Sequence, residues 1–504
     1  MKILFVSSEV FPFAKTGGLA DVAGALPLAL KELGHDVRVV MPKYKAVEKY
    51  SNSIDDLNKH IFVPVGAETK EGKLFEGKLF ESVPIYFLDQ PEYYQRDYLY
   101  GEHYQEYPDN ASRYIYFCRG VLEASKELGF KPDIIHCNDW QTGLIPVYLK
   151  TLYKDDRFFQ RTHTVFTIHN LAYQGNFWPL DIPLANLPWD VFHINGVEFY
   201  GKFSFLKGGL IYSDVLTTVS KTYKEEICTP EHGFGMEGVL RSREKDLFGI
   251  LNGVDYTKWN PEINPWIKKN YGLENLAGKE ECRNDLINEL GLKVNASTPI
   301  ICFVSRLCYQ KGFELLRQGM QYIMNQGFAF VGVGTGQMDY QNYFRDLPKR
   351  FPGKCATFVG YQEPMAHKTL AGSDMLLLPS QYEPCGLTQL YALKYGAVPI
   401  VRSVGGLKDT IQNFSLNSQK GTGFKFRGFA SPHMHRSIKK AGDIFKDQPL
   451  WKRLIVNGMK KDYGWKRSAK EYLKLYQGVL DRKNLKSNDT PLDENQSLMA
   501  DCPH

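Results

Sequence analysis

Arg306 and Lys311 stand five residues apart, the first just after an apolar run from Pro299 to Val304 and the second at the opening of a helical pattern. Two cations at that spacing can be directed at one diphosphate. Near the N-terminus, Lys15 precedes Thr16, Gly17 and Gly18. Paired glycines let backbone amides approach an anion while the ammonium adds a point charge, although a surface lysine in a glycine turn is spelled the same way. A third stretch, Ser380 to Gly396, follows the apolar run Met375 to Pro379. It passes through a turn with Pro384 and Gly386 into Leu387 to Tyr395, where Leu387, Leu390, Tyr391 and Leu393 have helical spacing. A helix that begins at Gly386 points unpaired N–H groups and the positive end of its dipole above the strand, a natural place for phosphate oxygens. Glu383 on the same turn has the wrong sign for an anion site and must face something else, or the turn is simply the start of an ordinary α/β unit.

Other ligand patterns are weaker. Gly332-x-Gly334-x-Gly336 is not the dinucleotide fingerprint and does not open the first βαβ unit of its domain, so it reads as a close-approach loop and no dinucleotide cofactor is expected. His136 and His169 lie on different strands without a carboxylate at ligand spacing, so no metal is expected either.

The elements that must position these residues alternate in type. Buried strands are expected at Lys2 to Ser8, Asp36 to Met41, His60 to Val65, Pro84 to Leu88, Asp133 to His136, Thr164 to His169, Val215 to Val219 and Phe248 to Leu251. A helix over Asp21 to Leu33 and further helical patterns lie between most of them. After a stretch punctuated by Pro and Trp the alternation restarts, with strands at Pro299 to Val304, Ala329 to Gly334, Ala356 to Gly360, Met375 to Pro379, Val398 to Val401 and Gly423 to Phe426. Alternation of this kind predicts an α/β protein of two Rossmann-like domains with parallel sheets. The expected limits are 1–255 for the first domain, 256–266 for a linker and 267–464 for the second. A helix at 465–482 should pack back on the first domain, and 483–504 reads as a mobile tail. Ligands of parallel sheets bind beyond the carboxyl ends of the strands. Nearly every polar or glycine-rich island falls at such an end, among them Lys15 to Gly18, His136 to Trp140, His169-Asn170, Asn252 to Asp255, Arg306 with Lys311, Gly360-Tyr361 and Glu383 to Thr388. Two facing domains would bring them into one cleft.

Composition narrows the partners. The chain has 504 residues and a net charge of only +6 from 62 basic and 56 acidic side chains, which suits an anionic small substrate and does not suggest a nucleic-acid partner. Nine cysteines without a C-x-x-C pair argue against a disulfide framework or structural zinc and fit a reducing cytoplasm. No apolar run is long enough to cross a membrane, and the first residues run directly into a strand without the pattern of a signal or transit peptide.

Eight stretches together carry a specific resemblance. They are KTGGLADV (15–22), YPDNASRY (107–114), HCNDW (136–140), FTIHNLAYQG (166–175), LNGVD (251–255), SRLCYQKG (305–312), EPCGLTQLYALKYG (383–396) and VGGLKDT (404–410). In this order, over almost the whole chain to about residue 480, they resemble the bacterial glycogen synthases and plant starch synthases, retaining glycosyltransferases of the GT-B fold. The resemblance implies transfer of glucose from a nucleotide-glucose, ADP-glucose ahead of UDP-glucose, to the non-reducing end of an α-1,4-glucan, with no metal or cofactor. It implies that Lys15, Gly17, Gly18, Arg306, Lys311 and the amides of Leu387 and Thr388 serve the phosphates. Glu383 would hold the glucose hydroxyls, with Cys385 and Gly386 lining that pocket. His169 would serve the sugar through its side chain or its carbonyl, Asp139 would steady the sugar or its oxocarbenium-like state, and Asn170 and Asn252 would line the same site. Tyr361 would stack on the base. Front-face attack and double displacement through Glu383 or Asp139 both fit. Gln141 and Gln337 depart from the family pattern, near the sugar and near the base or ribose respectively. Rival readings are a transferase making a small disaccharide, a phosphorylase, for which no pyridoxal phosphate lysine motif is present, and a non-catalytic glucan-binding protein.

Overall fold

The computed structural model describes residues 1–102, 105–360 and 362–488, with side chains to residue 481. Short runs of Val, Ile and Leu become strands buried on both faces. In the first domain these are β1 (Lys2–Val6), β2 (Asp36–Pro42), β3 (Ile54–Val65), β4 (Glu68–Leu79), β5 (Val83–Asp89), β6 (Ile134–Asn138), β7 (His163–Ile168), β8 (Val215–Thr218) and β9 (Leu247–Gly249). Their order across the sheet is β9-β8-β7-β6-β1-β2-β5-β4-β3. Neighbours from β9 to β5 are parallel, with Phe5 of β1 opposite both Val39 of β2 and His136 of β6.

The far edge departs from the sequence expectation. His60 to Val65 is not a parallel, fully buried strand but half of a long antiparallel hairpin, β3 with β4, that adds to β5. The reason is visible in β4, where Glu68, Lys70, Glu71 and Lys73 crowd one end and stand largely in solvent, so this part of the sheet keeps a wet face rather than one covered by helices. Charge hides such a strand from a search for apolar runs.

The second sheet is entirely parallel. Its strands are β10 (Ile300–Val304), β11 (Ala329–Gly334), β12 (Cys355–Val359), β13 (Met375–Leu378), β14 (Val398–Arg402) and β15 (Phe424–Phe426), in the order β12-β11-β10-β13-β14-β15. Helices cover both faces.

Two segments tie the domains together. Trp259, between them in sequence, is sandwiched by the rings of His367 at 3.9 Å and Tyr391 at 3.8 Å, and Asn264 donates to the Tyr395 hydroxyl at 3.1 Å. The helix Trp465–Asn488 returns to the first domain, where Trp465, Ala469, Tyr472 and Tyr476 join its core. It runs six residues past the expected end at 482, and the rest of the expected tail, 489–504, lies outside the described residues. Across the domain boundary, the helix Lys221–Ile227 docks on the helix Gly405–Thr410. Thr222 donates to Asp409 through its amide and its hydroxyl at 2.9 and 2.6 Å, Gly405 donates to Glu226 at 3.0 Å, and Ser220 Oγ donates to the carbonyl of Pro384 at 2.6 Å. Among the described residues no helix is long and apolar enough to cross a membrane.

Candidate active site

The cleft wall on the first domain begins after β1. The helix Gly18–Glu32 starts a turn earlier than its apolar spacing suggests, so Gly17 is its N-cap and the Lys15 turn leads straight into it. Sequence reasoning offers the amides here to an external anion. In the structure two of these amides already have an acceptor: Glu9, buried just beyond β1, accepts from the amides of Thr16 and Gly17 and from the Thr16 hydroxyl, and the Tyr100 hydroxyl donates to it at 2.7 Å. A carboxylate of the chain itself fills the nest, a role signalled only by Glu9 standing at a strand end. Lys15 Nζ bonds Asp21 at 2.6 Å, and burial raises the Asp21 pKa despite that lysine. A Cβ built on Gly17 would meet no protein atom within 4 Å, and one on Gly18 would lie 4.0 Å from Leu387 of the opposite domain. The two glycine turns therefore face each other across the cleft.

After β6 the chain turns sharply. Asp139 has φ 57°, a left-handed value that costs a residue with a side chain about 1–3 kcal/mol. Its amide donates to Thr167 at 2.9 Å and its Oδ1 accepts from the His169 amide at 2.7 Å. Burial pushes its carboxyl up to about 7. His169 Nε2 lies 2.9 Å from Asn138 Oδ1, and since an amide oxygen only accepts, Nε2 carries the proton. Burial lowers this imidazole to about 3, so it is neutral with Nδ1 unprotonated. The side-chain donor expected of His169 is thus already spent on Asn138, and its Nδ1 acceptor and backbone carbonyl remain. His136 lies deeper, its ring nitrogens taken by the Tyr476 and Thr167 hydroxyls at 2.7 and 2.6 Å. Gln141 is buried, with its carbonyl accepting from Cys118. Asn170 Oδ1 accepts from the Ala172 amide at 3.2 Å, and its side chain lies near Tyr382 of the second domain, where it opposes the rise that burial imposes on that phenol.

The opposite wall is built from strand ends of the second domain. Lys311 Nζ donates to both oxygens of Glu383 at 2.7 Å each, and Ser380 Oγ donates to Oε2 at 3.0 Å. Arg306 Nη2 lies 3.5 Å from Gln310 Oε1, and the nearby Tyr173 of the first domain helps raise the arginine's pKa. The helix here is Thr388–Tyr395 with Leu387 as its cap, two residues beyond the Gly386 start read from sequence. Gly386 sits at φ +70°, where a Cβ would also come within 2.4 Å of Gln389. Among the described residues neither the Leu387 nor the Thr388 amide finds an acceptor. Cys385 is buried, and burial pushes its thiol up to about 12 against the opposing effect of the nearby Asn252 backbone. Asn252 Oδ1 is buried without a partner. Gly334 and Gly336 make their close approach to Ser305 and Leu307 of the chain itself, while Gly332, inside β11, makes room for Phe344 and Phe330. Gln337 caps the helix Met338–Arg350 and its amide donates to Leu307. Tyr361 lies outside the described residues. Sequence reasoning overlooked Glu9, Asp21, Asn138, Ser380, Tyr173 and Tyr382, none of which stands out by spacing.

Two Rossmann-like domains whose strand-end turns meet in one cleft, with cations on one wall and buried sugar-sized hydrogen-bonding groups on the other, define a glycosyltransferase of the GT-B class. The starch synthase catalytic domain family matches residues 2–242 and the glycosyl transferases group 1 family matches residues 290–461. Glycogen synthases from Koribacter versatilis and Thermotoga petrophila are each 46% identical to the chain, covering 95% of it and 98% and 99% of their own lengths. The catalytic domain of starch synthase IV from Arabidopsis thaliana, solved with ADP and acarbose bound, superposes with a TM-score of 0.88 at 30% identity, covering 95% of this chain and 99% of that one. A sucrose-phosphate synthase from Thermosynechococcus elongatus, at 16% identity and a TM-score of 0.59 over 95% of this chain and 99% of its own, shares the fold. The chain belongs to the glycogen and starch synthase family.

Proposed function

We propose that the chain transfers glucose from ADP-glucose to the non-reducing end of an α-1,4-glucan with retention of configuration. The observation that carries this reading is the pair of Lys311 and Glu383 beside the two unbonded amides of Leu387 and Thr388. A diphosphate seated on those amides competes for Lys311. As the lysine turns to it, Glu383 loses its strongest partner and becomes available to the glucose hydroxyls, so one turn serves both halves of the donor. Arg306 adds the second cation. Lys15, now paired with Asp21 at the facing turn, supplies a third, and the open space over Gly17 leaves room for the donor.

A nucleoside diphosphate is a good leaving group, so the main demand is stabilisation of charge on the departing phosphate by preorganised donors. In front-face attack the bond from glucose C1 to phosphate breaks and the acceptor oxygen bonds C1 on the same face. The acceptor proton passes to the leaving phosphate oxygen. Double displacement needs a carboxylate free to bond C1: Asp139 is held by the His169 amide, and Glu383, once released by Lys311, keeps Ser380 and turns to the glucose hydroxyls. This favours the front-face route, with Asp139, the His169 carbonyl and Asn252 Oδ1 bonding the sugar and Cys385 lining its pocket. The eight cysteines among the described residues are all free thiols, which fits a reducing compartment such as the cytoplasm.

ADP is favoured over UDP because the starch synthase IV catalytic domain, 30% identical, binds ADP. The test is incorporation of labelled glucose into glycogen from ADP-glucose and UDP-glucose in parallel. Faster transfer from ADP-glucose is expected; faster transfer from UDP-glucose overturns the donor assignment, and no transfer from either overturns the reaction.

A further inference from the structure

We propose that Tyr173, Tyr382, Phe234, Phe199 and Tyr200 form a docking track that carries the outer units of an uncharged α-glucan away from the cleft. This rests on the polymer-acceptor reading above. The track is continuous with the site: Tyr382 stands one residue before Glu383, and Tyr173 lies close enough to both Arg306 and Tyr382 to act on their charge. The Phe234 ring packs edge-on against Tyr382 with centroids 5.4 Å apart, although the two rings belong to different domains. Gly235, next in sequence, is so close to the following pair that a Cβ there would lie 3.0 Å from Phe199 and 3.2 Å from Tyr200, and those two rings are 4.7 Å apart.

Phe199 and Tyr382 are half-buried, but burial does not account for the other three side chains. Tyr173 is 50% exposed, Phe234 40% and Tyr200 82%. Phe234 and Tyr200 also hold φ of 48° and 49°, which bulky residues rarely adopt and which the surroundings must enforce. The enforcement is present: Gln174 donates to the Phe234 carbonyl at 3.0 Å, and Tyr200 sits on a turn closed by the ladder of Glu198–Phe199 with Lys202–Ser204 and by the Gly201 amide donating to Glu198 at 2.7 Å. Rings held out on a rigid frame lose little conformational freedom on binding. Pyranose rings present C–H faces that lie on aromatic rings and hydroxyl rims that reach phenolic edges. A neutral polymer of such rings fits a track that offers faces and hydroxyls, whereas the anionic donor is drawn to the cations of the cleft.

The experiment measures KM for glycogen and for maltotriose with one donor in wild type, Tyr200→Ala, Phe234→Ala and Tyr200→Phe, each checked for an unchanged melting temperature. Both alanine variants should raise the glycogen-to-maltotriose KM ratio by about two- to tenfold, and Tyr200→Phe should keep the wild-type ratio. An unchanged ratio in both alanine variants overturns the track. If an alanine variant is unstable, Tyr200→Leu replaces it, keeping apolar bulk without a ring face, and the same ratio decides. Retardation in native gels cast with glycogen separates this proposal from the reaction itself. A wild type that transfers nothing but is retarded, with retardation lost in Tyr200→Ala, upholds the track alone; equal retardation of the two overturns it.

Discussion

On the wall contributed by the first domain, polar groups spend their bonds on the protein: Glu9 on the Thr16 and Gly17 amides, Asp139 on the His169 amide, His169 on Asn138. On the wall contributed by the second, Lys311 and Glu383 bond chiefly to each other, and the amides of Leu387 and Thr388 bond to no described residue. Desolvation explains the contrast. Buried groups without a counter-charge are held in one geometry by hydrogen bonds from the chain, whereas under the proposed reaction the cations of the second wall need a partner that is easily exchanged. One wall is preset for orientation, the other for charge.

The largest test of this contrast is Lys311→Ala, which should cut turnover by about a hundredfold or more, the usual cost of losing a preorganised donor to transition-state charge. Lys15→Ala should cost less, because its turn already holds Glu9. Equal losses in kcat/KM would erase the distinction between the walls.

Next in size is the pH response of the first wall. With its carboxyl at about 7, Asp139 ionises across neutrality, so kcat/KM should climb by nearly tenfold per unit below that value and level off above it. Asp139→Asn should flatten that limb while lowering the rate. The linkage has a definite sign. Between about 4, where the unfolded carboxyl ionises, and 7, where the folded one does, the folded state holds the extra proton, so the Asp139 contribution to stability falls as pH rises. The buried imidazoles of His136 and His169, lowered to about 3, act oppositely: their contribution is full above about 6.5 and is lost as pH falls toward 3. Melting temperatures of Asp139→Asn and wild type should therefore diverge most above pH 7, with the variant gaining; a constant difference from pH 5 to 8 would contradict the assignment.

A smaller effect is expected for Glu383→Gln read as stability. It leaves Lys311 and Ser380 with a neutral acceptor and should cost about 1–3 kcal/mol in urea unfolding, a loss that pyrophosphate, by pairing with Lys311, should partly restore. No restoration would mean that the lysine does not exchange partners. The smallest is Thr222→Val at the domain contact, about 1 kcal/mol, detectable as a wider spread of domain separations in small-angle scattering with both walls chemically intact.

Much of this was legible in the sequence. Arg306, Lys311, Glu383 and the glycine turns fall at strand ends because apolar runs mark strands and the turns interrupt them. The charged strand β4 was not, since its alternation is masked by lysines and glutamates that keep one face of the sheet wet. Nor was Glu9, whose seven-residue distance from Thr16 has no local meaning until β1 and the following helix bring the carboxylate under the turn.

The sequence by itself determined the two-domain α/β plan, the alternation of strand and helix and the family, because periodicity and motif order are local properties of the chain. Only the tertiary structure decided which groups are already satisfied. Whether Lys15 faces Asp21, whether Lys311 faces Glu383, and whether His169 keeps its Nε2 proton depend on partners up to 72 residues away and on the water excluded around them. Charge and hydrogen-bond state belong to an environment, and that environment is assembled only when the two sheets and the returning helix close around the cleft.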